Sequence, residues 1–321
     1  MNTQNESLMN MGTFHLPGGY STVSHNIDFL FYVLLVFTVI VSILMFLTMF
    51  YFLFKFLKTK KNKAPKIQFT ENHLLEFTWT FVPFVIVMII FYWGFKDYLK
   101  LTIAPENSLE IHVEGQMWAW NFSYPQFGAE SPEDLYVPLN EPVKLVMYSK
   151  DVLHSFFIPN FRVKRDVVPN RYSNLWFEAT KEGSFQIFCT EYCGDRHSNM
   201  LANLHVLPRK QFDEKMEELA SAYDGLTPAQ IGKKLYKKHS CNTCHSIDGS
   251  VVIGPSWLGL YGSERHFTNA ESLIADENYI RESILYPSKK VVEGYRDVMN
   301  SYAGMKEEDL IALIEYMKTL K

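Results

Sequence analysis

The chain has 321 residues, enough for two or three domains, and its formal net charge is −4. This slightly acidic balance argues against a nucleic-acid-binding protein, and we expect no nucleic-acid partner. The average conceals an uneven distribution, because apolar residues are concentrated in the first third of the sequence.

Two uncharged runs predict a transmembrane helix hairpin across residues 27–98. Residues 29–54 form 26 consecutive positions without a charge, and residues 77–95 form another 19. Each run can cross the hydrocarbon core as a helix, and we place the helices at about 27–54 and 74–96. The first run is too long for a signal peptide and lacks a basic segment before it. A buried helical hairpin in a soluble protein is the alternative.

The connector between the two runs, "KFLKTKKNKAPK" (55–66), contains six lysines and no acidic residue. Connectors rich in lysine and arginine stay on the cytoplasmic side of a membrane. We therefore expect the N-terminal segment (1–26) and everything after residue 97 on the extracytoplasmic side. That side permits disulfide bonds, so four cysteines would ordinarily be counted as two pairs.

The segment after the membrane predicts a β-sandwich over residues 105–207. Short alternating or β-branched runs occupy "SLEIHVEGQMWAWNFSY" (108–124) and "PVKLVMYS" (142–149), and "NLHVL" (203–207) reads as a last short strand. The stretch "SNLWFEATKEGSFQIFC" (173–189) predicts a β-hairpin.

Helical patterns follow the sandwich. Residues 208–225 are polar and helical, which by composition predicts a linker. Residues 226–321 predict a small all-α domain, whose first helix begins with Thr227 as N-cap and Pro228 at the first helical position. Its last helix is predicted in "KEEDLIALIEYMKTL" (306–320).

The stretch "CTEYCGDRHSNM" (189–200) predicts a metal site. Cys189 and Cys193 lie four residues apart, His197 and Met200 follow, and His154 stands at the end of an earlier strand. Two thiolates, two imidazoles and one thioether favour copper over magnesium, calcium or manganese. A tetrahedral zinc site is one alternative, although it leaves the methionine unexplained. A Cys189–Cys193 disulfide is the other alternative.

The stretch "CNTCH" (241–245) is a haem c attachment motif. Cys241 and Cys244 would bind the haem covalently, and His245 would be its proximal ligand. A thioredoxin-like redox motif is the alternative, but it requires a βαβ setting, and the surroundings here are helical.

The upstream Asp-Val-x-His-Ser and the pattern Cys-x-Glu-x-Cys-Gly-x-x-His-x-x-Met resemble the dinuclear copper (copper A) site of cytochrome c oxidase subunit II. The resemblance implies the metal ligands His154, Cys189, Glu191, Cys193, His197 and Met200. It implies that both thiolates bridge two coppers, and that Met200 and the backbone carbonyl of Glu191 are weak outer donors. The carboxylate of Glu191 would point towards a magnesium ion at the boundary with subunit I.

Two further motifs resemble that family. "EFTWTFVP" (76–83) is similar to its second-helix motif, which implies that Glu76 stands at the entrance of a proton path shared with subunit I. A solvated helix cap is the alternative. "GQMWAW" (115–120) is similar to the aromatic stretch that receives electrons, which implies that role for Trp118 and a core position for Trp120. Met117 replaces the usual glutamine, and two core tryptophans are the alternative.

The segment "GPSWLGLYG" (254–262) resembles the part of cytochrome c that follows the haem motif. The resemblance implies that the carbonyl of Pro255 accepts a hydrogen bond from His245. Candidates for the sixth iron ligand are Met299, Met305 and His266. Met299 matches the family position, where Asn300 replaces the usual proline, while Met305 would contribute packing.

Together the motifs resemble subunit II of a caa3-type haem–copper terminal oxidase. The implied fold is a multidomain membrane protein with a two-helix transmembrane hairpin, a cupredoxin-like β-sandwich and a C-terminal all-α cytochrome c domain. Electrons would pass from a donor to haem c, to copper A, and to haem a and the oxygen site of subunit I, with proton pumping.

The resemblance implies as partners subunits I and III, and as donor cytochrome c or a quinol-oxidising complex. It implies a bacterial plasma (inner) membrane, with the copper and haem domains on the periplasmic side. A stand-alone exported electron carrier is one alternative, but a carrier needs only one membrane anchor. A quinol oxidase subunit of the same fold is another, and it would be expected to lack the copper ligands.

Overall fold

The computed structural model of the protein describes residues 12–57, 71–132 and 134–321. Most of the lysine-rich connector that predicts the membrane orientation (58–66) lies outside the described residues, as do residues 1–11.

The chain divides into two compact units. The first comprises Met1–Ala104 together with Asn160–Arg162. The second comprises Pro105–Pro159 together with Val163–Lys321, and it contains both the β-sandwich and the C-terminal helical domain.

The first unit contains two long helices, α1 (Ser24–Phe56) and α2 (His73–Thr102). Their most apolar 18-residue windows have mean hydropathies of 2.9 and 2.2, and neither window is buried within the protein. Helices in the core of a soluble domain would bury these side chains, so the exposed apolar surface fits a lipid environment. Both helices extend beyond the predicted spans, because a helix continues past the apolar run that predicts it.

The first turns of α1 and the segment before it are bound to residues 160–162. The guanidinium of Arg162 donates hydrogen bonds to both carboxylate oxygens of Asp28, at 2.6 and 3.0 Å. The hydroxyl of Ser21 donates to the carbonyl of Phe161 at 2.8 Å. These contacts fix the start of the first membrane helix.

The second unit begins with a sandwich of two five-stranded sheets. The first sheet has the strand order β3-β2-β1-β5-β8, and the second has the order β4-β10-β9-β6-β7. The strands are β1 (Leu109–Gln116), β2 (Ala119–Tyr124), β3 (Ala129–Pro132), β4 (Asp134–Pro138), β5 (Pro142–Ser149), β6 (His154–Ile158), β7 (Val163–Val167), β8 (Ser173–Glu178), β9 (Gly183–Cys189) and β10 (Leu201–Leu207). The predicted β-sandwich is confirmed.

The hairpin predicted for residues 173–189 is wrong. β8 pairs with β5 in the first sheet, whereas β9 pairs with β6 and β10 in the second. Both strands bury apolar side chains in the core between the sheets, including Phe177 and Ile187. The turn pattern indicates that the chain reverses direction, but it does not indicate which strands pair. Pairing depends on which side chains are buried in the core between the two sheets.

The predicted linker contains a helix that packs against the sandwich. Helix α3 (Arg209–Ala220) buries Phe212 and Met216. The ring of Phe212 lies 5.7 Å from that of Phe127 and 6.4 Å from that of Tyr124. Composition alone suggested a connector, but two apolar residues four positions apart give the helix one buried face.

The C-terminal domain is helical, as predicted. Its helices are α4 (Pro228–Lys238), α5 (Glu277–Leu285) and α6 (Glu307–Thr319), and two short strands, β11 (Glu264–Arg265) and β12 (Leu273–Ile274), pair between α4 and α5. The predicted cap of α4 is present, because Thr227 and Gln230 form a capping box. α4 and α6 cross at Gly232, where a Cβ atom would lie 1.9 Å from the carbonyl oxygen of Ala312.

Candidate metal and haem sites

The candidate metal ligands come from three elements that meet at one end of the sandwich. His154 is the first residue of β6, Cys189 is the last residue of β9, and Met200 directly precedes β10. β6 and β9 are paired, with Phe156 opposite Cys189, so the histidine and the cysteine lie near each other although they are 35 positions apart in the sequence. The loop between β9 and β10 supplies the other candidates.

The donor atoms cluster around the two thiols. The Sγ atoms of Cys189 and Cys193 are 3.8 Å apart. The Nδ1 atom of His154 lies 3.9 Å from the Cys189 Sγ, and the Nδ1 atom of His197 lies 3.4 Å from the Cys193 Sγ. The Met200 Sδ is 3.8 Å from the Cys193 Sγ, and the Glu191 carbonyl oxygen is 3.4 Å from the Cys189 Sγ. All six predicted ligands are therefore brought together.

This donor set fits copper A better than the alternatives. A disulfide requires its sulfurs about 2.05 Å apart, well below the distance between these two thiols. A structural zinc ion uses four ligands, which would leave the buried sulfur of Met200 and the Glu191 carbonyl without a role. Two thiolates, two imidazoles, a thioether and a carbonyl are enough for two soft metal ions that share the sulfurs.

The charges of the site follow from its burial and its contacts. The hydrogen bond from the Cys193 thiol lowers the pKa of Cys189, and the same contact raises the pKa of Cys193. Burial alone would lower the pKa of His154, but its hydrogen bonds with Asp151 and Cys189 raise it overall. Because copper binds thiolates, a bound metal would displace the proton of each thiol that it binds.

Asp151 is the centre of a hydrogen-bond network beside the metal site. Its Oδ1 atom lies 2.8 Å from the Nε2 atom of His154, opposite the nitrogen that faces the thiol. Its Oδ2 atom accepts hydrogen bonds from the backbone N–H of Met117 at 2.7 Å and from the side-chain amide of Asn300 at 3.1 Å. A carboxylate in this position fixes the tautomer and the orientation of a metal-binding histidine.

Trp118 lies against the metal loop. Its indole N–H donates a hydrogen bond to the backbone carbonyl of Cys193 at 3.0 Å, and the side chain is buried. Gly194 allows this approach, because a Cβ atom there would lie 3.1 Å from the indole ring. Trp120 is fully buried among sandwich residues and contacts the ring of Phe156, so its predicted core position is confirmed.

The haem-attachment motif forms a short 3₁₀ turn, Cys241–Thr243, after α4. The Nδ1 atom of His245 lies 2.7 Å from the carbonyl oxygen of Pro255, as predicted. Gly254 keeps the space beside the imidazole open, because a Cβ atom there would lie 2.7 Å from the ring. The Pro255 contact leaves the Nε2 atom of His245 available for an iron ion.

A cavity lies beside this motif, and its lining fits a haem. Both cysteines, His245, Met299 and Met305 line it, whereas His266 does not line it and bonds instead to Ser272 at 2.7 Å. Burial lowers the pKa of His245, which keeps the imidazole neutral and able to donate its lone pair.

The sandwich contributes to the same cavity. Met117 and Trp118 both line the cavity beside the haem motif, and Trp118 also contacts the metal loop. The sequence did not predict this contact, nor the contacts of Asp151 and Asn300. For Asp151, the sequence did contain a signal, because this residue lies three positions before the candidate ligand His154.

Glu76 lies in the first turn of α2, which begins after the N-cap Asn72. One of its carboxylate oxygens is 3.5 Å from the Nδ1 atom of His73, and its side chain is partly exposed. Glu191 is also partly exposed. The roles predicted for these two carboxylates in a proton path and in binding magnesium stay predictions.

The fold and the two sites define a membrane-anchored electron-transfer subunit with a soft-metal centre and a haem centre. Residues 9–96 match the family described as "Cytochrome C oxidase subunit II, transmembrane domain", and residues 128–206 match the family of its periplasmic domain. Residues 229–321 match the family "Cytochrome c". The chain belongs to the cytochrome c oxidase subunit II family and carries a fused cytochrome c domain.

Two relatives found by sequence agree with this assignment. The chain is 31% identical over 294 residues to cytochrome c oxidase subunit 2 of Alkalihalophilus pseudofirmus, covering 88% of this chain and 83% of that protein. It is 28% identical to cytochrome c oxidase subunit 2 of Bacillus sp. strain PS3, covering 82% and 79%. The crystal structure of the periplasmic domain of subunit II of Bradyrhizobium japonicum cytochrome oxidase covers 38% of this chain and 99% of that one, with 29% identity and a TM-score of 0.37.

The predicted family, fold class and function are therefore confirmed. The protein is a subunit of a haem–copper oxidase complex, and the family and domain matches imply copper A and haem as its cofactors. The two apolar helices and the periplasmic domain match a membrane protein with its metal-binding domain outside the membrane.

Proposed function

We propose that this chain receives electrons in its haem domain and delivers them through its copper site to subunit I of a terminal oxidase. When bound, haem c and copper A supply one-electron carriers, and oxygen reduction takes place in subunit I. The proposed partners are subunits I and III, with cytochrome c or a quinol-oxidising complex as donor. The proposed location is the bacterial plasma membrane, with the sandwich and the haem domain on the periplasmic side.

The position of Trp118 is the main observation that supports this proposal. Its side chain lines the haem cavity, and its indole N–H donates to the carbonyl of Cys193, one of the two candidate bridging ligands. One aromatic side chain thus contacts both candidate sites. Because Trp118 is only 8% exposed, a soluble donor has little access to it, which favours delivery of electrons from the haem domain of the same chain.

The residues around the two sites have separate tasks. His154, Cys189, Glu191, Cys193, His197 and Met200 would hold copper, and Cys241, Cys244, His245 and Met299 would hold the haem. The Pro255 carbonyl orients the proximal histidine, and the Asp151 carboxylate orients one copper histidine. Burial of His154, Cys189, Cys193 and Met200 keeps water away from four of the copper ligands, and the sheet holds them in place.

Two carboxylates would connect the chain to subunit I. We infer that Glu76 takes up protons at the start of α2, since an ionisable group at a membrane helix end is frequently functional. The backbone carbonyl of Glu191 would bind copper, and it already accepts a hydrogen bond from the Cys189 thiol. Its carboxylate would then be available for a magnesium ion at the subunit boundary.

The test is electron transfer within the purified oxidase complex after Trp118→Phe. Haem c would be reduced by a light pulse, and the absorbance of haem and copper would be followed in time. Loss of the indole N–H contact should slow transfer between the centres by about tenfold or more, in the range found when supporting residues of metal sites are removed. Both centres should keep their full content of metal.

Trp257→Phe is the matched control, because Trp257 also lines the haem cavity and packs 5.7 Å from the ring of His245. Its ring contacts are with Tyr236 and His245 inside the haem domain, so its replacement should leave transfer between the centres close to that of the unmodified complex. Equal rates in the two variants would remove Trp118 from the electron path. An unmodified complex without copper would contradict the proposed function itself.

A further inference from the structure

A polar contact joins the haem domain to Asp151, the hydrogen-bond partner of the copper ligand His154. Asn300 follows the candidate haem ligand Met299, and its side-chain amide donates to Asp151 at 3.1 Å. Asp151 in turn holds the Nε2 atom of His154 at 2.8 Å. A continuous chain of hydrogen bonds therefore runs from the haem-ligand loop to a copper ligand.

The Asp151 carboxylate contacts both Asn300 and His154, so a change at Asn300 can affect His154. Its Oδ1 atom faces His154, while its Oδ2 atom accepts from both Met117 and Asn300, so each donor draws electron density from the carboxylate. The side chain is only 8% exposed and His154 is fully buried, so water has little access to replace a lost donor. Hydrogen bonds in such a low-dielectric network influence one another.

We propose that Asn300 is a positioning residue for electron transfer, which acts through Asp151 to set the environment of the copper ligand His154. This inference rests on the proposed function, because it assumes that the two sites hold copper and haem. A proline in the position of Asn300 would offer no side-chain donor, so the asparagine gives this chain a connection that the usual residue cannot make.

The expected consequence has a defined direction. Without the Asn300 amide, the Asp151 carboxylate becomes a stronger acceptor for the imidazole N–H of His154. A stronger acceptor makes the imidazole a better electron donor to its metal, which favours the oxidised form of that metal. Removing the amide should therefore shift the electron from the copper site towards the haem.

The experiment compares Asn300→Ala with the unmodified oxidase complex by spectroelectrochemistry. The equilibrium constant for sharing one electron between copper and haem should change about threefold or more in favour of reduced haem. The nitrogen hyperfine couplings of the copper signal in electron spin resonance should change as well. The sulfur–iron absorption band should persist, which shows that Met299 still occupies its position.

Two control variants separate positioning from simpler effects. Ser301→Ala removes a hydrogen bond from the same loop to the Leu285 carbonyl, and it leaves Asp151 untouched. Lys238→Ala removes the ion pair with Glu130, which also joins the haem domain to the sandwich, away from the haem cavity. Both should leave the electron equilibrium and the copper spectrum unchanged.

The outcomes are distinct. If Ser301→Ala or Lys238→Ala reproduces the change, Asn300 acts only through loop order or docking, and the inference is wrong. If Asn300→Ala behaves like the unmodified complex, the inference is also wrong, while the proposed function stands. If the unmodified complex shows no electron sharing between copper and haem, the proposed function fails first.

Discussion

The guanidinium of Arg196 donates a hydrogen bond to the backbone carbonyl of Thr243. Arg196 directly precedes the candidate copper ligand His197, and Thr243 lies between the two haem-attachment cysteines. This contact therefore links a side chain of the copper loop to the backbone of the haem motif, in addition to the contact that Asn300 makes with Asp151.

Replacing Arg196 with alanine should loosen the docking of the haem domain on the sandwich. A hydrogen bond from a charged donor contributes about 1.5–3 kcal/mol when buried, and this partly buried one should contribute about 1 kcal/mol. Amide exchange measured by mass spectrometry should become several-fold faster in the peptide that contains Thr243. Arg281→Ala, which breaks an ion pair with Glu307 inside the haem domain, should leave that peptide unchanged.

The variant Cys193→Ser should lose the copper centre and keep the haem. Serine cannot supply the second thiolate, and Cys193 contacts three other candidate donors, those of Cys189, His197 and Met200. Metal analysis and electron spin resonance measure the outcome. Ser198→Ala in the same loop serves as control, since its exposed hydroxyl donates a hydrogen bond to Asn199 and to none of the candidate donors. Full copper content with an unchanged spectrum in Cys193→Ser would contradict the ligand assignment.

Glu76→Gln should slow oxygen consumption at least about tenfold while both metal centres are still reduced by the donor. The amide keeps the shape of the side chain but cannot carry a proton. Glu71 provides a matched control, because it also lies near His73, at 4.0 Å, but precedes the helix. Steady-state oxygen uptake is the measurement. Equal rates for Glu76→Gln and Glu71→Gln would make Glu76 a solvated helix cap.

Met299→Leu and Met305→Leu should differ, although both side chains line the haem cavity. Met299 lies in a loop that can reach the iron, whereas Met305 packs against the core next to the start of α6. Leucine preserves the volume, so each variant should lose less than about 1.5 kcal/mol of stability. Only Met299→Leu should lose the sulfur–iron absorption band and lower the haem potential. The reverse result would assign the ligand to Met305.

The haem domain should lose stability at high pH through Tyr236. Burial raises the pKa of its phenol from 10.0 to about 12, and its hydroxyl donates to the carbonyl of His245. The folded state therefore prefers the protonated phenol, so this stabilisation is complete below pH 10 and declines between pH 10 and about 12. Two pKa units correspond to about 3 kcal/mol.

Denaturant unfolding monitored through haem absorbance at several pH values measures this effect. Tyr236→Phe should be less stable than the unmodified protein at neutral pH, because it lacks the hydrogen bond, but it should lose less stability above pH 10. Tyr286→Phe replaces an exposed tyrosine and should retain the original pH dependence. An unchanged pH dependence in Tyr236→Phe would assign the high-pH instability to other groups.

Local sequence signals predicted most of the architecture. The membrane helices follow from uncharged runs, because lipid selects apolar side chains at every position of a span. The first turn of α4 follows from Thr227, Pro228 and Gln230, which satisfy the free backbone groups of the helix N-terminus. The separation of β8 and β9 could not be predicted in this way, because the choice of a strand partner depends on distant residues.

The sequence by itself determined the chemical groups of both sites: two cysteines, a histidine and a methionine within one loop, and two cysteines followed by a histidine in another. Only the tertiary structure decided which distant residues join them. Pairing of β6 with β9 brings His154 to Cys189, and packing of the haem domain on the sandwich brings Asn300 to Asp151. The physical reason is that ligand spacing within a loop is fixed by covalent geometry, whereas these contacts form when distant strands and domains bury their surfaces together.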